Sequence, residues 1–377
     1  MARWIAFAFG IFVVLGTSGS LTRTLIVPRA DRSRLSTVVK DVVRAIFLGA
    51  ASFARSYKSK DRILAYQAPM TLIMLLATWL GAYLLGFVLM LEPWTHAFGR
   101  ALIESGSSMF TLGTAAPVHA GGIAIGYAAA AAGLITVALQ IAYLPTLYSA
   151  FNRREMLVTL LQSRAGVPAW GPEILARHQM NGLTGSLGDL YSEWEAWAAD
   201  VAETHANYPI LLAFRSPHPL RSWVLALLAV IDSAALYNAL CPSSAPFQTR
   251  LCIRMGFTAM RDIASAILLS FDPDPSPDAP IRLTRAEFDE GIARLREVDF
   301  PMERTPDEAW EHFRGWRVNY EALAYALADR VVAAPSLWSG PRKHVPDEVV
   351  RPLRPVDRRI DRKESMEAPP VQTEWRL

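Results

Sequence analysis

Two cysteines, Cys241 and Cys252, are all that this chain of 377 residues contains. That is too few for a disulfide framework, and their spacing fits no zinc pattern, so both read as small buried residues. The seven histidines are scattered, with no HExxH and no other paired-ligand spacing. A phosphate-cradling glycine loop, a dinucleotide-binding glycine pattern and a nucleophile motif are also missing. The sequence therefore gives no grounds for an enzyme, a metal centre or a bound cofactor. It also has no internal repeat and no sustained heptad.

Charge is the other absence, and it is local. Residues 69–91, PMTLIMLLATWLGAYLLGFVLML, and residues 121–151, GGIAIGYAAAAAGLITVALQIAYLPTLYSAF, carry none. A helix needs about 20 apolar residues to cross the hydrocarbon core, and both runs are long enough. The N-terminal stretch from Trp4 to Leu21 is either a first spanning helix or the apolar core of a signal peptide. Between Leu21 and Ala68 there are ten Lys or Arg against three Asp, a net +7. Cytoplasmic loops collect such bases, which favours a retained helix with its N-terminus outside. The spans at 69–91 and 121–151 then run out and back, and Arg153 and Arg154 lie just inside. The expectation is a multi-pass protein of the cell membrane with a cytoplasmic C-terminus. A basic loop beside a bilayer is explained by anionic lipid, so no nucleic-acid partner is expected.

Within the basic segment 22–68, residues 36–54 place Val38, Val39, Val42, Val43, Ile46 and Phe47 on one helical face, the pattern of a helix lying in the membrane interface. After Arg154 the chain becomes a succession of helical patterns at about 154–164, 172–206, 220–240, 247–270, 284–298 and 306–334. Thr284 with Glu287, and Thr305 with Glu308, have capping-box spacing. Trp194, Trp197, Trp310 and Trp316 fall at helical spacings and read as core. The turn FRSPHP, 214–219, with Arg221 beyond it, presents an anion-binding pattern or a plain solvated turn. Residues 222–240 are almost long enough to span. Asp232, Asn238 and polar neighbouring helices make them instead the central helix of a helical domain, 152–335. Residues 336–377, rich in Pro and charge, read as a disordered tail. The fold class is all-α: membrane helices followed by a cytoplasmic helical domain.

The link between the two strong spans, 97–122, reads AFGRALIESGSSMFTLGTAAPVHAGG. It is nearly uncharged, too apolar for an external loop and too short to span, which is the composition of a re-entrant segment. Irregular backbone survives at membrane depth only when buried in protein or lining a watery cavity. Here the chain resembles the pore of the two-transmembrane potassium channel family. ALIESGSSMFTLGTA, 101–115, lies over that family's pore helix and TVGYG filter. Ala101, Leu102, Ser105, Ser108, Thr111 and Gly113 match or nearly match.

The resemblance implies a pore domain at 69–151, with 69–91 as outer helix and 121–151 as inner helix. It makes Thr111, Leu112, Gly113, Thr114 and Ala115 the selectivity filter. It further implies self-association to a tetramer, because each chain supplies one loop and stacked carbonyl rings need four. Potassium or another monovalent cation is then the permeant ion. Gly133 takes a hinge position on the inner helix, Pro145 a kink near the inner mouth, and Glu104 the outer mouth, where it either attracts cations or pairs with Arg100. The chain departs from the family at Thr114, where the family has tyrosine, at Ala115, where it has glycine, and at Ala116, where it has aspartate. These residues put potassium selectivity in question. The helical domain lies outside the resemblance. It is expected to gate or assemble the pore, with an unknown cytoplasmic ligand or protein as partner. A non-conducting membrane anchor for that domain is the alternative reading of the same residues.

Overall fold

The computed structural model describes residues 1–27, 33–115, 117–343 and 349–352. Among these the protein is all-helical, with one isolated bridge between Ser336 and Val350 and no strand. The expected tail therefore falls largely outside the described residues. Its start does not, because Trp338, Ser339 and Arg342 are buried. The helical core thus continues several residues past Pro335.

The N-terminal stretch forms α1 (Ala2–Leu25), which packs along α4 (Gln67–Thr95). Contact is close because glycines meet: a Cβ on Gly10 would lie 2.6 Å from the carbonyl oxygen of Gly86. Small residues let membrane helices approach to backbone contact, where dispersion replaces the missing hydrophobic drive. Trp4, Phe7 and Trp94 make a cluster of edge-on rings at one end of the pair. At the other end, the Trp79 indole donates to Ser20 Oγ at 3.0 Å, within a knot of hydroxyls formed with Thr24, Ser33 and Ser36.

Between α1 and α4 lie α2 (Arg34–Ser52) and α3 (Tyr57–Ala65), each N-capped by a serine, Ser33 and Ser56. The single apolar face expected for 36–54 is divided. Val43 is buried and Val39 packs toward Leu21, Leu75 and Trp79, while Val38, Val42 and Ile46 are exposed. A six-residue apolar set spans more arc than one neighbour can cover, so the helix is buried on one flank and bare on the other.

Four segments are long and apolar enough to cross a membrane: Ala2–Leu25, Tyr57–Thr95, Ala120–Ala165 and Trp223–Leu240. The first three leave most of their apolar windows uncovered by protein, being 22%, 39% and 33% buried, whereas the fourth is 100% buried. The first three mark the chain as a membrane protein. The second and third are joined by α5 (Phe98–Met109), and the third is one continuous helix, α6 (Ala120–Ala165). The separate helix expected at 154–164 is its last three turns. Pro145 sits inside α6 without ending it.

The rest of the chain wraps the fourth segment, α9 (Trp223–Leu240), with α7 (Gly171–Met180), α8 (Leu187–Asn207), α10 (Gln248–Ala266), α11 (Arg285–Arg296), α12 (Pro306–Arg317) and α13 (Glu321–Arg330). The long patterns expected at 172–206 and 306–334 are each two helices. They are broken at Asn181–Ser186, and at Val318–Tyr320. Both capping boxes form, at Thr284 with Glu287 and Thr305 with Glu308. Asp232, in the middle of α9, accepts from Arg317 Nη1 at 2.5 Å and Tyr320 Oη at 2.8 Å, and Arg317 also donates to Glu321 at 2.7 Å. A charge taken out of water survives only when paired and hydrogen-bonded, and here every partner is itself buried. Trp194 and Trp197 are buried, Trp310 and Trp316 partly so, and Cys241 and Cys252 are free and buried.

One surface carboxylate ties two bundle loops. Glu303 accepts from the Ser244 hydroxyl at 2.5 Å and from the backbone N–H of Ser243 and Ser244, which together hold its pKa down at about 2. A depressed carboxylate contributes stability above its unfolded value, near 4.5, and loses it as pH falls through about 2. Acid titration of unfolding is expected to show a loss across that window that Glu303→Gln reduces. Identical profiles for the two proteins would refute this role.

Candidate functional site

The first turns of α5 stand beside the end of α4 and the start of α6. Nε of Arg100 donates to Glu104 at 2.9 Å, and Glu104 is buried while Arg100 is largely exposed. Glu104, the residue expected at an outer mouth, is thus engaged by a cation one turn away. Further along, Ala101, Ser105, Ser107 and Met109 are buried against α4 and α6.

A stripe of small residues on α6 receives α5. Gly122, Gly126, Ala129 and Gly133 recur at helical spacing and are all buried. A Cβ on Gly126 would lie 3.2 Å from Ser108 Oγ, and one on Gly133 would lie 2.2 Å from the Met109 carbonyl oxygen. Gly133 is thirteen residues past Ala120 (133 minus 120). At about 1.5 Å per residue, that is roughly 20 Å along α6. The chain then returns: Pro117 rests on Gly122, with 3.0 Å from its Cβ to the position a Gly122 Cβ would take. Gly133, the expected hinge, is therefore the seat of the α5 C-terminus, and its missing side chain is required by that contact.

At the bottom of this descent lies TLGTA. Thr111 N–H bonds to the Ser108 carbonyl at 3.1 Å and Leu112 N–H to the Ser107 carbonyl at 2.8 Å. The Ser107 hydroxyl accepts from Ala115 N–H at 2.9 Å, pinning the returning chain to the helix. Thr111 and Gly113 both have positive φ, 55° and 68°. For threonine that conformation costs of order 1–2 kcal/mol, and for glycine almost nothing. Residues 110–114 are exposed, Leu112 at 64%, although the helix leading to them is packed. The C-terminal end of α5, its partly negative pole, faces this loop.

At its other end α6 enters the helical bundle. Arg154 is fully buried. It donates to Glu155, to the carbonyls of Leu211 (3.0 Å) and Phe214 (2.8 Å), and lies 3.0 Å from His205 Nε2. The rings of Phe151 and Trp223 lie beside it. Burial and the Arg154 charge push the His205 pKa well below its usual value, so the imidazole is neutral and Nε2 accepts. Arg153, by contrast, makes an exposed pair with Asp200. Two adjacent arginines that both read as membrane-flanking charges thus do different work.

The FRSPHP turn is neither an anion site nor a free solvated turn. Arg215 pairs with Asp61 of α3 at 2.5 Å and donates to the carbonyls of Val331 and Val332 and to Tyr57 Oη. Arg221 bonds to Thr159 and Gln162. Arg215 thereby clasps the basic N-terminal segment onto the bundle.

A scan against protein-family models, a search of curated proteins and a search of solved structures each return no match for this chain. The class that the fold itself defines is an all-helical membrane protein with a large helical bundle built onto its last long helix.

Proposed function

We propose that the protein forms a tetrameric, potassium-channel-like pore that conducts monovalent cations, with the helical bundle on the cytoplasmic side gating or assembling it. One observation carries this reading: the end of α5 sits against Gly133, roughly 20 Å along an apolar helix. An exposed loop with left-handed backbone at Thr111 and Gly113 follows it. A re-entrant loop at that depth needs water or other copies of itself around its peptide groups. Four copies meeting at 111–115 supply both, with carbonyl rings in place of the ion's water shell. The positive-φ residues, two apart, suit a backbone whose successive peptides alternate in direction. The cytoplasmic placement of the bundle rests on the Lys and Arg excess in 21–68.

The test is potassium and sodium flux into liposomes containing the purified protein, beside a Gly113→Asp variant, with oligomeric state measured in mild detergent. A tetramer whose flux the variant abolishes is expected, and the ratio of the two ions reports how far TLGTA selects. A monomer or dimer would sink the pore, since one loop per chain cannot close a filter. A folded tetramer without flux would leave the anchor reading.

A further inference from the structure

α2 has three flanks, and each meets something different. One is packed: Val39 lies with Leu21, Leu75 and Trp79, and Val43 is buried. A second is polar: Thr37, Lys40, Asp41 and Arg44 line a cavity of about 520 Å³, which Thr71, Tyr143 and Asn207 also border. The third is bare. Val38, Val42, Ile46, Gly49 and Phe53 are exposed. At about 100° per residue they fall within an arc of about 80°. Leu35 is the remaining position in that arc, so the arc holds no charge. Val38, Val42 and Ile46 are 59%, 52% and 63% exposed, as bare as Ile73 and Ile135 on the spans, at 58% and 53%.

The sequence pattern is that of a helix lying flat in the interface, but the contacts stand it upright. Its first turn is beside Trp79, because Ser33 donates to Ser20 Oγ, the atom that takes the Trp79 indole N–H. Its last turn is beside Leu64, just before α4 begins, where Ala51 packs. Trp79 and Leu64 are fifteen residues apart (79 minus 64), about 22 Å at about 1.5 Å each. α2 therefore runs antiparallel to the first turns of α4, a spanning helix. Depth follows from the same count. A hydrocarbon core about 30 Å thick takes about 20 residues of helix. Counted back from Trp94, in the ring cluster at the far end of α4, it reaches about Met74. Leu75 and Trp79 lie within that length and Leu64 beyond it, so α2 begins at hydrocarbon depth and ends at the polar boundary. Its first N–H groups are answered there, as a helix starting in lipid requires: Ser33 Oγ accepts from Ser36 N–H at 3.4 Å, among the hydroxyls of Ser20, Thr24 and Ser36. Its charged side chains at 40, 41 and 44 open onto the cavity, which spares them hydrocarbon.

We infer that α2 stands in the leaflet on the bundle side, with its bare flank against lipid hydrocarbon and its polar flank on the cavity, so that it walls the cavity off from lipid. Val38 is then the deepest of the bare residues and Phe53 the shallowest. The partner of this surface is bilayer hydrocarbon, the same partner that the equally bare faces of α4 and α6 have. The inference does not rest on conduction, and a chain that carries no ions would leave it standing.

The experiment uses the full chain in vesicles of phosphatidylcholine and phosphatidylglycerol. Cysteine replaces Val38, Val42, Ile46 or Phe53, one at a time, and carries a nitroxide. Cys241 and Cys252 are fully buried, and label uptake by the unsubstituted chain measures their background. Collisions of the nitroxide with oxygen, which concentrates in hydrocarbon, are compared with collisions with a water-soluble nickel chelate, and the ratio reports depth. Val38→Cys is expected to read about 12 Å deeper than Ile46→Cys, eight residues along the axis (46 minus 38), with Val42→Cys between them and Phe53→Cys at the surface. Ile135→Cys on α6 supplies the lipid reference and Arg296→Cys, exposed on α11, the water reference. Ala45→Cys, exposed beside the bare arc, serves if the labelled Val42 variant does not fold. Equal depth at all four positions would lay the helix flat. Collisions like those of Arg296→Cys would place the flank in water, and loss of collisions with both reagents would mean that protein covers it. Each of these three results overturns the inference.

Discussion

Gly133→Leu is expected to abolish cation flux, although the substitution makes an apolar helix more apolar. The reason is steric. A Cβ at position 133 would stand 2.2 Å from the Met109 carbonyl oxygen, a distance real Cβ atoms do not reach, and 2.8 Å from Met109 Cγ. A flexible side chain could swing away at little cost, but a backbone oxygen moves only with its helix. Overpacking in a dense core typically costs about 1–3 kcal/mol, and here the relief available is displacement of the α5 C-terminus. That end carries Thr111–Ala115, so the carbonyls that the proposed pore brings to one axis would part. Gly133→Ala, with the same Cβ and nothing more, should impair flux less completely. Gly81→Leu on α4, where nothing lies within 4 Å, should conduct as the wild type does. Flux measured in liposomes beside the oligomeric state separates loss of the loop from loss of assembly. Wild-type flux from Gly133→Leu would mean that this contact has no part in conduction.

Arg154→Met is expected to destabilise the protein by about 3–5 kcal/mol, the cost of breaking a buried ionic network from one side. Methionine fills much of the volume but leaves the Leu211 and Phe214 carbonyls and the Glu155 carboxylate, itself buried, without their donor. At about 2–4 °C per kcal/mol for a region of this size, the unfolding midpoint should fall by about 10 °C. The neighbouring Arg153→Met is the comparison. Its pair with Asp200 is half exposed, and such pairs contribute about 0–1 kcal/mol. Tryptophan fluorescence reports the transition directly, since Trp223 lies against Arg154 and Trp197 donates to its carbonyl. Equal shifts for the two variants would show that burial at 154 gives no advantage over a surface pair.

The membrane helices were legible because long uncharged runs have few other uses, and α5 because residues 98–110 carry a helical pattern, against the observed Phe98–Met109. What stayed hidden depends on partners distant in sequence. Arg215 left an anion site and a solvated turn both open because its own partner, Asp61, lies 154 residues earlier. The α2 face looked single because nothing local shows that α1 and α4 cover only one flank. Gly133 read as a hinge, since a glycine missing a side chain looks the same whether it frees the backbone or admits a neighbour. The stripe of Gly122, Gly126, Ala129 and Gly133 was the available signal for the second. The fused α6 was obscured by Arg153 and Arg154, which read as the end of a span and lie within an unbroken helix.

Asp232 has a consequence before the bundle exists. When α9 leaves the ribosome, the α12 residue that will neutralise it, Arg317, has not been made, and the segment is judged as a stretch of 18 residues hydrophobic enough to be inserted into lipid. An aspartate at the centre of such a segment adds about 2.5–3.5 kcal/mol against insertion, and much less near an end. Asp232 sits at that centre, with nine residues before it and eight after. The carboxylate that later holds α12 in place therefore also weighs against insertion of α9 into lipid while the chain is being made.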